Sequence, residues 1–127
     1  MITITGTGLS IEDVVAIARG GESIAPWPPE ARARMDRSLD WIATAVAEGE
    51  RKIYGVNTGF GALPDTSIPA AEAGPLSRNL ILKCCAGSGP PLAEPRVRAM
   101  MAIRASTLAR GLSGVRPDLA ESLIRIL

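Results

Sequence analysis

The sequence predicts a mainly α-helical fold with a short N-terminal strand and one long glycine-rich loop. Three observations carry that expectation. Apolar residues recur at helical spacing in five stretches, serine or proline stands at the start of most of them, and the spacing fails between residues 54 and 69. With 127 residues, 46% of them hydrophobic and 21% charged, the chain is long enough to bury a core and too apolar to remain disordered. Residues 1–127 are therefore read as a single unit.

The elements follow in order. Ile2 and Ile4 alternate with threonines and then meet two glycines, which reads as a short strand or extended lead-in. Ser10 and Asp13 have the spacing of a capping box, Val14, Val15, Ile17 and Ala18 supply an apolar face, and Gly20-Gly21 ends the helix. Pro28-Pro29 opens the second helix, whose Met35, Leu39, Ile42 and Val46 share one stripe, and Gly49 stops it. Trp27 and Trp41 are expected to pack. A third helix is expected from Pro75 to about Ala86, with Leu76, Leu80 and Cys84 on one stripe and Asn79 and Lys83 beside it. The fourth begins near Glu94-Pro95, carries Val97, Met101 and Leu108, and closes at Gly111. The fifth starts at Pro117-Asp118 and runs through Leu119, Leu123, Ile124, Ile126 and Leu127 without a polar end. Such an apolar stretch is expected to be covered, either by its own core or by another chain.

Composition narrows the chemistry. The chain has no histidine and only two cysteines, Cys84 and Cys85, so it supplies no histidine-based triad, zinc cage or disulfide framework. Adjacent cysteines rarely bridge each other, and free thiols suit a reducing cytoplasm. A reactive-thiol role for the pair is the lesser reading beside helix packing. Net charge is +1, which offers no polycation for nucleic acid or membranes, and no stretch reads as a membrane span or signal peptide. Its distribution is uneven: residues 1–66 carry nine acidic and six basic groups, residues 67–127 four and eight. Arginine-rich surface of this kind faces solvent, a partner or an anionic ligand.

Tyr54-Gly-Val-Asn-Thr-Gly-Phe-Gly61 is the densest functional signal. Its three glycines permit positive φ or close approach of a ligand, and Tyr54, Asn57 and Thr58 supply polar groups. From the residues alone two readings stand, a surface loop with one packed ring or a loop that presents Tyr54 for proton transfer.

This segment resembles the tyrosine loop of the histidine and aromatic amino-acid ammonia-lyases and related aminomutases. The likeness extends upstream through LSIEDVVAIARGG and downstream through LSRNLILKCCAGSGPPL and VRAMMAIRASTLARGLSGVRPDLAESLIRIL, so it spans nearly the whole chain. The resemblance implies the N-terminal part of an ammonia-lyase-like helical fold. Enzymes of this kind remove ammonia from an α-amino acid with an electrophilic methylidene-imidazolone group made from an internal Ala-Ser-Gly. No Ala-Ser-Gly occurs in these 127 residues. The expectation is a small subunit of a split enzyme, inactive alone, whose partner is a larger chain that carries that cofactor and the remaining helical bundle. A hetero-oligomer, such as a heterotetramer of two small and two large chains, is expected, without metal.

By position, Tyr54 matches the family's catalytic tyrosine, which as phenolate takes the substrate's β-proton in the lyase reaction. Gly61 matches the glycine whose backbone lies against substrate. Asn57, Thr58, Gly59 and Phe60 are expected to shape the loop, whose glycines would let it close over the site. The residue pair that meets the substrate side chain is Ser-His, His-Leu or Phe-Leu in histidine, tyrosine and phenylalanine enzymes. Here it is Lys83-Cys84. A buried lysine needs a carboxylate, from the protein or from a substrate with an acidic or polar side chain, and both alternatives stand. Other readings kept open are an aminomutase subunit and a non-catalytic relative that retains the loop.

Overall fold

Ser10 opens the first helix in the computed structural model, which describes residues 1–62 and 64–127. Its hydroxyl accepts from the Asp13 N–H at 3.0 Å while the Asp13 carboxylate accepts from the Ser10 N–H at 3.0 Å, so both partners of the capping box are in place. The Ser10 backbone N–H, followed by its hydroxyl, holds the Asp13 carboxyl below the ordinary carboxylate range. The helix, α1 (Ile11–Gly20), ends at Gly21 in the left-handed region. The remaining helices are α2 (Pro29–Glu48), α3 (Ala70–Cys84), α4 (Glu94–Ala109) and α5 (Pro117–Ile126). Mainly helical structure is thus what forms, with a loop between α2 and α3.

The expected N-terminal strand is reduced to one isolated parallel bridge between Ile2 and Ile24. Ile2 donates to the Ser23 carbonyl and accepts from Ala25, each at 2.9 Å, and the glycines at 6 and 8 then turn the chain before a ladder can grow. Helix α3 also differs from expectation: it begins at Ala70, and Pro75 lies inside it. Glu72 donates to the Pro69 carbonyl at 2.8 Å and starts the helix, so Pro75 falls in its second turn, where the missing N–H removes one helical bond.

The chain divides into two compact units, Met1–Ala43 with Pro91–Leu127, and Thr44–Pro90. In the first, α1 and α5 pack on α4. The contact surface of α4 is made by Ala102, Ala105, Leu108 and Ala109, whereas Val97 and Met100 are exposed. Of the expected Val97, Met101 and Leu108, Leu108 is buried and Met101 half-buried, and the alanines add to them because small side chains let neighbouring backbones approach closely. One core cluster joins Ile4, Ala31, Ala105 and Ala109, with Ile24, Trp27 and Ile124 against it. Another joins Met35, Leu108 and Ala120, with Val115 and Leu123. Leu123 and Ile124 thus meet the unit's own core, while Leu119 and Ile126 face outward. Trp27 packs as expected; Trp41 does not, being 53% exposed.

Glycine and arginine complete this packing. A Cβ on Gly6 would stand 2.7 Å from the Ala109 carbonyl carbon, and one on Gly111 2.6 Å from the Arg34 backbone. Arg34 donates from one guanidinium nitrogen to the carbonyls of Thr5 and Ala109, the latter at 3.1 Å, tying the N-terminal segment and the end of α4 to α2. Arg98 donates twice to the Ile17 carbonyl, at 3.2 and 3.1 Å, satisfying an acceptor near the end of α1. Among the described residues, no helix is long and apolar enough to cross a membrane.

Gly111→Ala is expected to cost about 2–4 kcal/mol, from left-handed strain plus overpacking. Gly8→Ala, at φ 74° with open space around it, should cost only about 1–2 kcal/mol. Urea unfolding of both variants checks this, and equal losses would show that close packing at Gly111 contributes nothing.

Candidate functional site

The unit from Thr44 to Pro90 holds every residue expected to act on a substrate. After Gly49 ends α2, the chain turns at residues 54–57, where Val56 and Asn57 donate to the Ile53 carbonyl at 3.0 and 3.2 Å. The Asn57 side chain fixes this turn. Its Oδ1 accepts from the Ile53 N–H and its Nδ2 donates to the Arg51 carbonyl, both at 2.7 Å. Its backbone carbonyl accepts from Ile68 at 2.9 Å, and Gly59 donates to the Thr66 carbonyl at 3.0 Å around an antiparallel bridge between Thr58 and Ser67. Two short extended pieces, 57–59 and 66–68, therefore close the base of the loop. Lys52 adds a third tie by donating to the Asp65 carbonyl at 2.7 Å.

Thr58 and Gly59 are buried in this base, and the Thr58 hydroxyl donates to the Gly59 carbonyl at 3.1 Å. Phe60 stands edge-on to Tyr54, with ring centroids 6.1 Å apart and an interplanar angle of 78°. Gly55, at φ 78°, allows the turn; a Cβ there would lie 3.4 Å from the Phe60 ring. Tyr54 itself is 62% exposed, so its hydroxyl is held at the surface and not in a core. That oxygen accepts from the Gly61 N–H at 3.3 Å, and Gly61 is in the left-handed region at φ 63°. The structure brings Tyr54, Phe60 and Gly61 together, with Asn57 beneath them.

Lys83 and Cys84 lie on the last turn of α3, and both are exposed. Among the described residues nothing covers Lys83, and it forms no ion pair with them. Cys84 and Cys85 are free and exposed. The neighbouring Ile81 and Leu82 are exposed as well, so this end of α3 presents an apolar surface with one cation. A cavity of about 420 Å³ lies behind the loop, lined by residues such as Val46, Arg51, Asn57 and Ile68, but not by Tyr54, Gly61, Lys83 or Cys84. Among the described residues, no group of three or more His, Cys, Asp or Glu side chains is placed to hold a metal ion.

Lys52 was not anticipated from sequence as part of the loop, since its side-chain ammonium meets the Asp65 carbonyl, a backbone group that carries no residue signature.

The profile of the aromatic amino acid lyase family matches residues 9–127. The chain belongs to that family. A histidine ammonia-lyase of Gloeobacter violaceus is 37% identical over 126 residues, 99% of this chain and 24% of that protein. The tyrosine aminomutase of Streptomyces globisporus superposes with a TM-score of 0.87 at 34% identity, covering 98% of this chain and 23% of that one. An ergothioneine-degrading ergothionase from Treponema denticola gives a TM-score of 0.88 at 26% identity, over 96% of this chain and 24% of its own. The chain therefore spans about a quarter of the length of the lyase-family proteins it matches.

Asn57→Ala removes both side-chain bonds that brace this lyase-family loop, at about 0.5–1.5 kcal/mol each. Proteolysis within residues 51–68 should rise about tenfold while cleavage in residues 1–43 stays unchanged. An unchanged rate in the loop would mean that other contacts hold it.

Proposed function

We propose that this chain supplies the proton-accepting tyrosine and part of the substrate wall of an enzyme that eliminates ammonia from an α-amino acid. The carrying observation is the exposed Tyr54 hydroxyl held against the Gly61 N–H on a braced loop. An amide N–H aimed at the phenol oxygen fixes where that oxygen stands, so that it can be presented to the proton on the carbon next to the amine-bearing one. Gly61 is left-handed, with open space where a Cβ would stand, which leaves that side of its backbone open to a substrate. Membership of the aromatic amino acid lyase family supports the same reading.

The methylidene-imidazolone group does not form on these residues, since no Ala-Ser-Gly occurs among them. We infer that a larger partner chain carries it, together with the remaining helical bundle, in a hetero-oligomer such as a heterotetramer; there the group supplies an electrophile for the substrate's amine. Exposed Ile81 and Leu82 beside Lys83 support a surface completed by another chain. Lys83 then lies at the substrate side chain, and its lack of a carboxylate partner among the described residues supports a substrate with an acidic or strongly polar group. Cys84 is the second wall residue. A second reading, in which the amine is re-added at the neighbouring carbon, is favoured by the likeness to the tyrosine aminomutase.

The test mixes the purified chain with a larger chain that carries Ala-Ser-Gly and assays ammonia release and amine-shifted product against a panel of amino acids. Tyr54→Phe should lower the rate about 10²–10⁴-fold, the range for a lost general base. A stable complex whose activity ignores that change would leave this chain a non-catalytic relative. In the same assay, Lys83→Met should reduce kcat/KM for acidic substrates about tenfold relative to neutral ones. An unchanged profile would remove Lys83 from the substrate wall.

A further inference from the structure

The arginine surplus is only partly consumed by internal contacts. Arg32 pairs with Glu121 and with Asp118 at 3.7 Å, and Arg98 caps α1. Arg34, Arg37 and Arg110 instead line one cleft of about 470 Å³ beside Trp41 and Leu112. An adjoining hollow of about 360 Å³ shares Arg34, Arg110 and Leu112. No carboxylate lines either one, and among the described residues neither Arg37 nor Arg110 enters an ion pair. The floor is held in place. Arg34 is anchored on two carbonyls, Gly111 sits against the Arg34 backbone, and the Gly114 N–H donates to the Ser38 hydroxyl oxygen at 3.0 Å, leaving that hydroxyl's proton free to donate.

Two exposed apolar groups complete the cleft, Trp41 at 53% and Leu112 at 75%. A flat indole next to uncompensated guanidiniums suits a ligand that joins a planar ring to several anionic oxygens. The ring stacks, and each planar guanidinium meets phosphate oxygens in a two-pronged contact. The combined volume is that of a small-molecule site. We propose that this cleft binds a nucleoside polyphosphate, with its base on Trp41 and Leu112 and its phosphates on Arg37 and Arg110, while Arg34 and Ser38 form the floor. The lining residues lie wholly in the unit of Met1–Ala43 with Pro91–Leu127 and include none of the tyrosine loop.

Calorimetric titration of the full chain with ATP at low salt tests it. Saturable binding of one ATP per chain with a Kd below about 1 mM is expected. Arg37→Gln with Arg110→Gln should weaken it at least about tenfold, whereas Arg96→Gln with Arg116→Gln should leave it within about twofold. Tripolyphosphate should bind at least about tenfold more weakly than ATP, and Trp41→Ala, or Leu112→Ala where the first variant does not fold, should lower the ATP affinity toward that value. Absence of saturable binding, equal losses in the two arginine pairs, or tripolyphosphate binding as tightly as ATP would overturn the proposal. Binding of polyglutamate without binding of ATP would also overturn it, assigning the cleft to an acidic protein segment.

Discussion

The side-chain amide of Asn57 accepts from the Ile53 N–H and donates to the Arg51 carbonyl, so the chain entering the tyrosine loop is folded back on itself. Its backbone carbonyl receives the Ile68 N–H, so the chain leaving the loop is tied to the same residue. Without that clamp, a segment with Gly55, Gly59 and Gly61 rests on the Gly59–Thr66 and Lys52–Asp65 ties, and glycine gives up more conformational freedom on ordering than any other residue. The clamp turns a flexible sequence into a frame on which Tyr54, Phe60 and Gly61 stand in contact. Catalysis by an exposed phenol depends on such positioning before it depends on acidity.

The other unit is built on a different constraint, close approach of backbones. Alanines at 31, 102, 105, 109 and 120 leave no room for larger side chains, and Gly6 and Gly111 let a loop and a helix end lie against their neighbours. Arg34 then uses one guanidinium to satisfy carbonyls from two segments at once. Ile4, Ile17, Met35 and Leu108 fill the space that remains, while Ile11, Trp41, Ile103 and Leu112 are exposed.

Local signals were legible in the sequence wherever a side chain acts on its own neighbourhood. Ser10 with Asp13 and Gly21 marked both ends of α1, and the prolines at 28–29, 95 and 117 marked three helix starts. Pro75 misled because a proline in an early turn resembles one at the first position, and only the Glu72 to Pro69 bond distinguishes them. Ile2 and Ile4 alternate as strand residues do, but strand formation needs a partner longer than the single bridge at Ile24. Trp41 was expected to pack and Lys83 to meet a substrate side chain by resemblance to the family, and their exposure within this chain is a tertiary fact that no spacing encodes. In the site, the polar residues of the loop were identifiable as a set. The pairing of Asn57 with Arg51 and Ile53 was not, since both partners act through backbone groups.

The dependence of the tyrosine on its loop frame is open to direct observation by nuclear magnetic resonance of the labelled full chain. Cross-relaxation between the Tyr54 ring and the Gly61 amide, and a shift of that amide resonance in Tyr54→Phe, are expected in the parent chain; both should vanish when Asn57 is replaced by alanine. Their absence from the parent, or their persistence without the Asn57 side chain, would contradict the view that Asn57 sets the geometry in which Tyr54 meets Gly61.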